Sequence, residues 1–152
     1  MATDGITEEE LERLVDSVAA GPEHERIYAD LIGRSGVAIS ATESWALWHL
    51  GALGPITAHR LAAELHVARE LMGNMITALG RLGYVRPDTQ DRLDLTRSGR
   101  HALVQLIEAG QAEIALLLRG REPRNERDRA RVLGRLTKTV LMTMPTTVEP
   151  GS

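Results

Sequence analysis

Ten residues between Thr57 and Arg92 have the types and spacing to hold a phosphate backbone and to read the edges of base pairs. Arg69, Glu70, Gly73, Asn74 and Thr77 recur at intervals of three and four. A helix over 68–82 therefore carries them on one face, opposite an apolar stripe of Met72, Met75, Ile76 and Leu79. On such a face an arginine can grip guanine with two parallel hydrogen bonds. An asparagine can meet adenine or a phosphate, and a glutamate can accept from the amino group of cytosine. Gly73 lets the helix approach a backbone closely, at a cost of about 1 kcal/mol in helix propensity; close packing against another helix is the other reading of it. Thr57, His59 and Arg60 open a shorter helix just upstream, where free N–H groups suit an anion, although His59 is equally consistent with plain surface exposure. Arg86 and Arg92 flank the turn that follows, with Asp88 or Asp91 placed to orient Arg92.

Other chemistries lack their residues. The five histidines, at positions 24, 49, 59, 66 and 101, show no metal-ligand spacing. The series Asp88, Asp91, Asp94 would splay on a hairpin and is not expected to hold a metal. No G-x-S-x-G elbow and no phosphate-cradling glycine loop occurs. Without cysteine there is no disulfide, thiol nucleophile or cysteine-based redox sensor. The expectation is no catalytic residue, no metal and no cofactor.

The elements that must position the ten residues can be read in order. Gly54-Pro55 breaks the preceding helix, Thr57 can cap the next, and Leu61, Ala62 and Leu65 share its inner face. Leu65-His66-Val67 forms a tight turn. A second helix follows, with Leu71/Met72, Met75/Ile76, Leu79 and Leu82 recurring along it, and Gly83 ends it. Tyr84 to Arg86 and Leu93 to Leu95 read as two short strands joined by Pro87-Asp88-Thr89-Gln90-Asp91, a turn composition. Thr96 caps a further helix. This order, helix, turn, helix, small hairpin, helix, is a helix-turn-helix with a hairpin wing. Its second helix has the diameter of a DNA major groove.

The run from Gly54 to Gly99, with its LGYVR turn, its Asp91-Arg92 pair and its Leu95-Thr96-x-x-Gly99 closure, resembles the winged-helix core of the MarR family of bacterial transcriptional regulators. The resemblance covers about Thr42 to Gly99. It implies a mainly α fold with a small β-hairpin wing, a winged helix-turn-helix with N- and C-terminal dimerisation helices. It further implies that double-stranded DNA and a second copy of the chain are the partners, and that Arg92 enters the minor groove. Members of the family bind small aromatic anions between the dimer helices and the winged helix. Trp45, Trp48, His49 and Met72 are the candidate lining here, since Trp and His offer an apolar face with one polar handle. Alternatively Trp45 and Trp48 are core and His49 is half-buried.

The flanks suit this layout. Thr7 and Glu10 form a capping box before Leu11, Leu14, Val15 and Val18. Gly21-Pro22 interrupts that helix, and a second segment with Ile27, Leu31 and Ile32 runs to about Gly33. Ser40 and Glu43 make another capping box, opening a helix through Trp45, Leu47, Trp48, Leu50 and Leu53. After the wing, a long helix is expected from about Arg97 to Leu118, carrying Leu103, Leu106, Ile107 and Ile114 and then Leu116-Leu117-Leu118. A last helix runs from about Asn125 to Met142. The reading is one domain over 1–152, with its winged-helix core at about 42–99, dimerisation helices at about 7–33 and 100–143, and a flexible tail at 145–152.

Aromatic residues are only 3% of the 152 and Phe is absent, so the core must be Leu, Ile, Val, Ala and Met, which suits packed helices. The net charge of −3 is unevenly spread. Residues 1–54 hold three Arg against ten Asp/Glu, whereas 55–100 hold seven Arg against five, giving +2. The basic run REPRNERDRAR is interleaved with acids and reads as a solvated loop and helix start. No apolar run approaches the roughly 20 residues of a membrane span, and the acidic N-terminus lacks a signal-peptide core, so a cytoplasmic protein is expected. The functional expectation is a homodimeric DNA-binding regulator, a repressor on a palindromic operator released by a small aromatic ligand. The alternative is a winged-helix protein–protein interaction module that has lost sequence-specific DNA binding; Glu70, the short wing and the acidic balance favour it.

Overall fold

Two reciprocal capping boxes set where helices begin. In a computed structural model of the chain, which describes residues 6–145, the Thr7 hydroxyl accepts from the Glu10 N–H at 3.1 Å. The Glu10 carboxylate in turn accepts from the Thr7 N–H at 3.0 Å. Ser40 and Glu43 repeat the exchange at 3.1 Å in both directions. Each box satisfies two backbone donors that a helix end would otherwise leave open. The helices that follow are α1 (Glu8–Val18) and α3 (Ala41–Leu53), with α2 (Gly21–Ser35) between them. Pro22 stands in the first turn of α2, where its missing N–H is harmless, and Gly36 ends α2 in the left-handed conformation.

The chain continues as β1 (Ile56–Thr57), α4 (Ala58–Leu65), α5 (Arg69–Arg81), β2 (Val85–Pro87), β3 (Arg92–Leu95), α6 (Arg97–Leu118) and α7 (Glu126–Met142). It is thus mainly helical, with one three-stranded antiparallel sheet in the order β1-β3-β2. Val85 pairs with Leu95 and Pro87 with Leu93, while Ile56 pairs with Leu93 and Thr57 with Arg92. The strand β1 was not expected from the sequence.

Contacts divide the chain into two units. One is contiguous, from Ala38 to Gln105. The other joins the two ends of the chain, up to Val37 and from Leu106 onward. In the contiguous unit the core is Trp45, Ala46, Leu47 and Leu50 of α3, Leu61 and Ala62 of α4, Met72, Met75 and Leu79 of α5, and Val85, Leu93 and Leu95 of the sheet. Leu71 and Leu82, which also recur along α5, are 37% and 38% exposed. Met72, Met75 and Leu79, at intervals of three and four, already fill the buried face, and both leucines fall outside that arc.

In the other unit, Leu11, Val18, Ile27, Leu31, Leu106, Ile114, Leu118, Val132, Leu136 and Val140 are buried. Two buried polar side chains close the end of α7. The His24 ring donates from Nε2 to the Val140 carbonyl at 2.9 Å, and the Tyr28 hydroxyl donates to the Leu141 carbonyl at 3.2 Å. The two rings meet edge to face at 5.4 Å. On the surface Arg131 pairs with Glu8 and Arg135 with Glu12, joining α7 to α1. Leu116 is 60% exposed.

Helix α6 is, by length and composition, apolar enough to cross a membrane, although the sequence reading anticipated no such run; a third of its apolar window is buried within the chain. Of the tail expected at 145–152, Pro145 is buried, and the remainder lies outside the described residues.

Candidate nucleic-acid interface

The helix pair α4–α5 is built from short-range signals. Thr57 caps α4, its hydroxyl accepting from the Arg60 N–H at 3.1 Å. His66 ends α4 in the left-handed conformation, at φ 56°, and its N–H reaches back to the carbonyls of Ala62 and Ala63. Val67 donates to the Ala62 carbonyl at 2.9 Å. The chain thereby reverses in three residues, and α5 starts at Arg69. No side chain caps α5, because Ala68 stands at the cap position. The first N–H groups of that helix therefore have no internal acceptor, which is the condition for meeting an anion.

Every sequence-predicted residue on α5 faces outward to some degree. Arg69, Glu70, Asn74 and Thr77 are exposed and Gly73 is half-buried. A methyl group added at Gly73 would meet nothing within 4 Å, so helix packing does not account for that glycine. At the start of α4, His59 and Arg60 are exposed and Thr57 is half-buried behind its capping bond. Arg60 leans toward Glu64 at 3.8 Å with 72% of its side chain in solvent, a loose pair of small energetic weight.

The hairpin is tied from one residue. Asp88 accepts from the Gln90 N–H at 2.7 Å, from the Arg92 N–H at 2.9 Å and from the Arg92 guanidinium at 3.0 Å. The Arg92 N–H, then that of Gln90, together with the charge of Arg92, hold the Asp88 carboxyl below the usual carboxylate range. Asp88, then, and not Asp91, orients Arg92; Asp91 instead makes the turn, at φ 61°. The base of the hairpin is pinned as firmly. The Thr96 N–H donates to the Tyr84 carbonyl at 2.9 Å, its hydroxyl donates to the Gly83 carbonyl at 2.6 Å, and the same hydroxyl accepts from the Gly99 N–H at 3.0 Å.

Two open clefts lie on this unit. One, of about 480 Å³, brings together three of the predicted residues, Thr57, Arg60 and Arg92, over an apolar floor of Leu53, Pro55 and Ile56. The other, of about 990 Å³, is lined by Arg86 with two arginines that the sequence reading did not single out, Arg97 and Arg100. Arg69, Arg86 and Arg97 have no carboxylate within ion-pair distance among the described residues.

No protein-family model, curated protein or solved structure matches this chain. What the surface can do is therefore argued from its own chemistry. Seven exposed arginines, at 60, 69, 81, 86, 92, 97 and 100, stand on one contiguous unit, and Arg69, Arg86 and Arg97 have no carboxylate partner among the described residues. A second arm of polar side chains, Asn74 and Thr77, runs along α5 beside them in sequence.

The residues considered for a ligand sit differently. Trp45 and Met72 are buried, and Trp48 and His49 are half-buried. The His49 ring lies edge to face with Trp45 at 5.0 Å and with Trp48 at 5.1 Å. Neither of the two clefts described above is lined by any of these four.

Two features of the surface escaped the sequence reading. The uncapped start of α5 was legible, since Ala68 offers no oxygen at the position where Ser, Thr, Asp or Asn would cap. The grouping of Arg97 and Arg100 with Arg86 was not, because it depends on how β2 and the start of α6 come together.

Proposed function

We propose that this chain is a DNA-binding transcriptional regulator, a winged helix-turn-helix of the MarR type, acting as a cytoplasmic homodimeric repressor on a palindromic operator. The observation that carries the reading is the outward face of α5. Arg69, Asn74 and Thr77 are exposed on a helix whose opposite face is anchored by Met72, Met75 and Leu79. Its first turn is uncapped, and Gly73 leaves open space beside the helix. A helix so arranged enters a major groove with its N-terminal turns, while Arg60 and Arg86 reach phosphates on either side and Arg92 enters the minor groove. A two-fold pair places two such helices about 34 Å apart, one turn of duplex. Leu116 and Met142, 60% and 41% exposed, are apolar surface that a second copy would cover. A small aromatic acid held beside Trp48 and His49 would release the operator only by preferring one spacing of the two recognition helices.

The test is operator selection from a random duplex library with the purified full chain, followed by titration at several salt concentrations. Arg69→Ala costs about 1–3 kcal/mol on the selected site, and affinity of the unaltered chain falls steeply with salt. Unchanged affinity in both Arg69→Ala and Arg92→Ala refutes the assignment of the contact face. A protein-docking module is the second reading. It is favoured by the exposed Glu70 in the first turn of α5 and by the engagement of Arg92 with Asp88. No enrichment of any duplex at low salt would decide for it.

A further inference from the structure

The larger cleft of the contiguous unit has a chemistry that DNA reading by α5 does not use. It is lined by β2, the turn that follows it, the end of β3 and the first turn of α6. Three guanidinium groups border it, from Arg86, Arg97 and Arg100. Arg86 and Arg97 are unpaired among the described residues. Arg100, 62% exposed, is only loosely engaged by Asp94 at 3.7 Å. Thr89 and Ser98 add hydroxyl donors at the rim.

Two carboxylates share the lining, and both are already occupied. Asp88 is committed to the hairpin N–H groups and to Arg92. One oxygen of Asp94 accepts from the Leu95 N–H at 2.8 Å, and the other faces Arg100. The frame does not have to form on binding, because Thr96 already ties the start of α6 to the carbonyls of Gly83 and Tyr84. Three like charges around one opening repel each other, and an anion placed between them removes that repulsion while gaining charge-assisted hydrogen bonds.

We infer that the cleft between β2 and the start of α6 is a phosphate site, taking a phosphoryl group through Arg86, Arg97 and Arg100. The group is supplied either by a free phosphorylated molecule or by the backbone of bound DNA. The site stands whether or not α5 reads DNA, so its test has an arm without nucleic acid.

In that arm, the full chain is dialysed at low ionic strength against labelled inorganic pyrophosphate. One site is expected. Arg97→Ala weakens it about tenfold, the equivalent of one lost charge-assisted hydrogen bond, and Arg97→Ala/Arg100→Ala weakens it further. Arg97→Lys, which keeps the charge and loses the fork, falls between. In the second arm a random-sequence duplex is added. If pyrophosphate is displaced, and the double variant lowers the salt dependence of duplex binding by about two counterions, the backbone is the source. If pyrophosphate still binds with the duplex present, the source is a free molecule. Either result upholds the site. No pyrophosphate binding, or binding that Arg97→Ala/Arg100→Ala leaves unchanged, overturns it. Failure of every duplex to bind would count against the regulator reading and leave the pyrophosphate result to stand alone.

Discussion

Replacing Gly99 by alanine should loosen the base of the β2–β3 hairpin, while the same replacement at Gly73 should strengthen the helix it stands in. At Gly99 an added methyl collides with the carbonyl of Tyr84, which is backbone and cannot swing away. Relief requires the start of α6 to withdraw from the turn after α5. Such a shift stretches the bonds from Thr96 to the Tyr84 and Gly83 carbonyls, at 2.9 and 2.6 Å. Overpacking of this kind costs about 1–3 kcal/mol, and each lost bond adds about 1 kcal/mol. The better helix propensity of alanine returns about 1 kcal/mol. The net loss is about 2–4 kcal/mol. At Gly73 nothing lies within 4 Å of the new methyl, so only the propensity gain of about 0.5–1 kcal/mol remains. Urea unfolding followed by far-ultraviolet circular dichroism measures both as shifts of the midpoint at constant slope. A Gly99→Ala chain as stable as the unaltered one would show that the hairpin base is not pinned in this way. On the regulator reading, Gly73→Ala should also bind duplex more weakly despite its greater stability.

Further outcomes follow from the same geometry. Asp88 has its carboxyl held low in the folded chain, so its contribution to the hairpin is present above the ordinary carboxylate pKa and is lost as pH falls through the depressed value. The Gln90 and Arg92 amide resonances should therefore titrate with a midpoint below the usual carboxylate range, and Asp88→Asn should abolish that titration. Thr57→Ala removes the cap of α4 and should cost about 1 kcal/mol in thermal unfolding. Tyr28→Phe leaves the Leu141 carbonyl short of its buried donor and should cost about 1–2 kcal/mol, with no effect on duplex binding.

Local chemistry was the legible part of the sequence. The capping boxes at Thr7 and Ser40, the stop at Gly83 and the cap at Thr96 depend on residues three or four apart, and they could be placed without knowing the fold. The exposed face of α5 was legible for the same reason. The strand β1 is two residues long and exists only through its pairing with Leu93 and Arg92, some 36 residues on. A two-residue strand carries no period. The burial of His24 had no local signal at all, since its partner carbonyl is 116 residues away. In the candidate interface, Asp88 and Asp91 were equal choices as the partner of Arg92 until the turn was seen to place Asp91 in the left-handed region.

The interleaving of the two units has a consequence for synthesis. Residues 38–105 leave the ribosome as one uninterrupted stretch, so this unit has all of its own partners before α7 has emerged. Helices α1 and α2 emerge first yet must wait longest. The carbonyls that His24 and Tyr28 engage belong to Val140 and Leu141, and the arginines that answer Glu8 and Glu12 are 123 residues downstream. During that interval the apolar sides of Leu11, Val18, Ile27 and Leu31 stand uncovered on the nascent chain. A ribosome stalled far enough downstream for Gln105 to clear the exit tunnel would therefore present a folded body preceded by a segment whose apolar side is still bare.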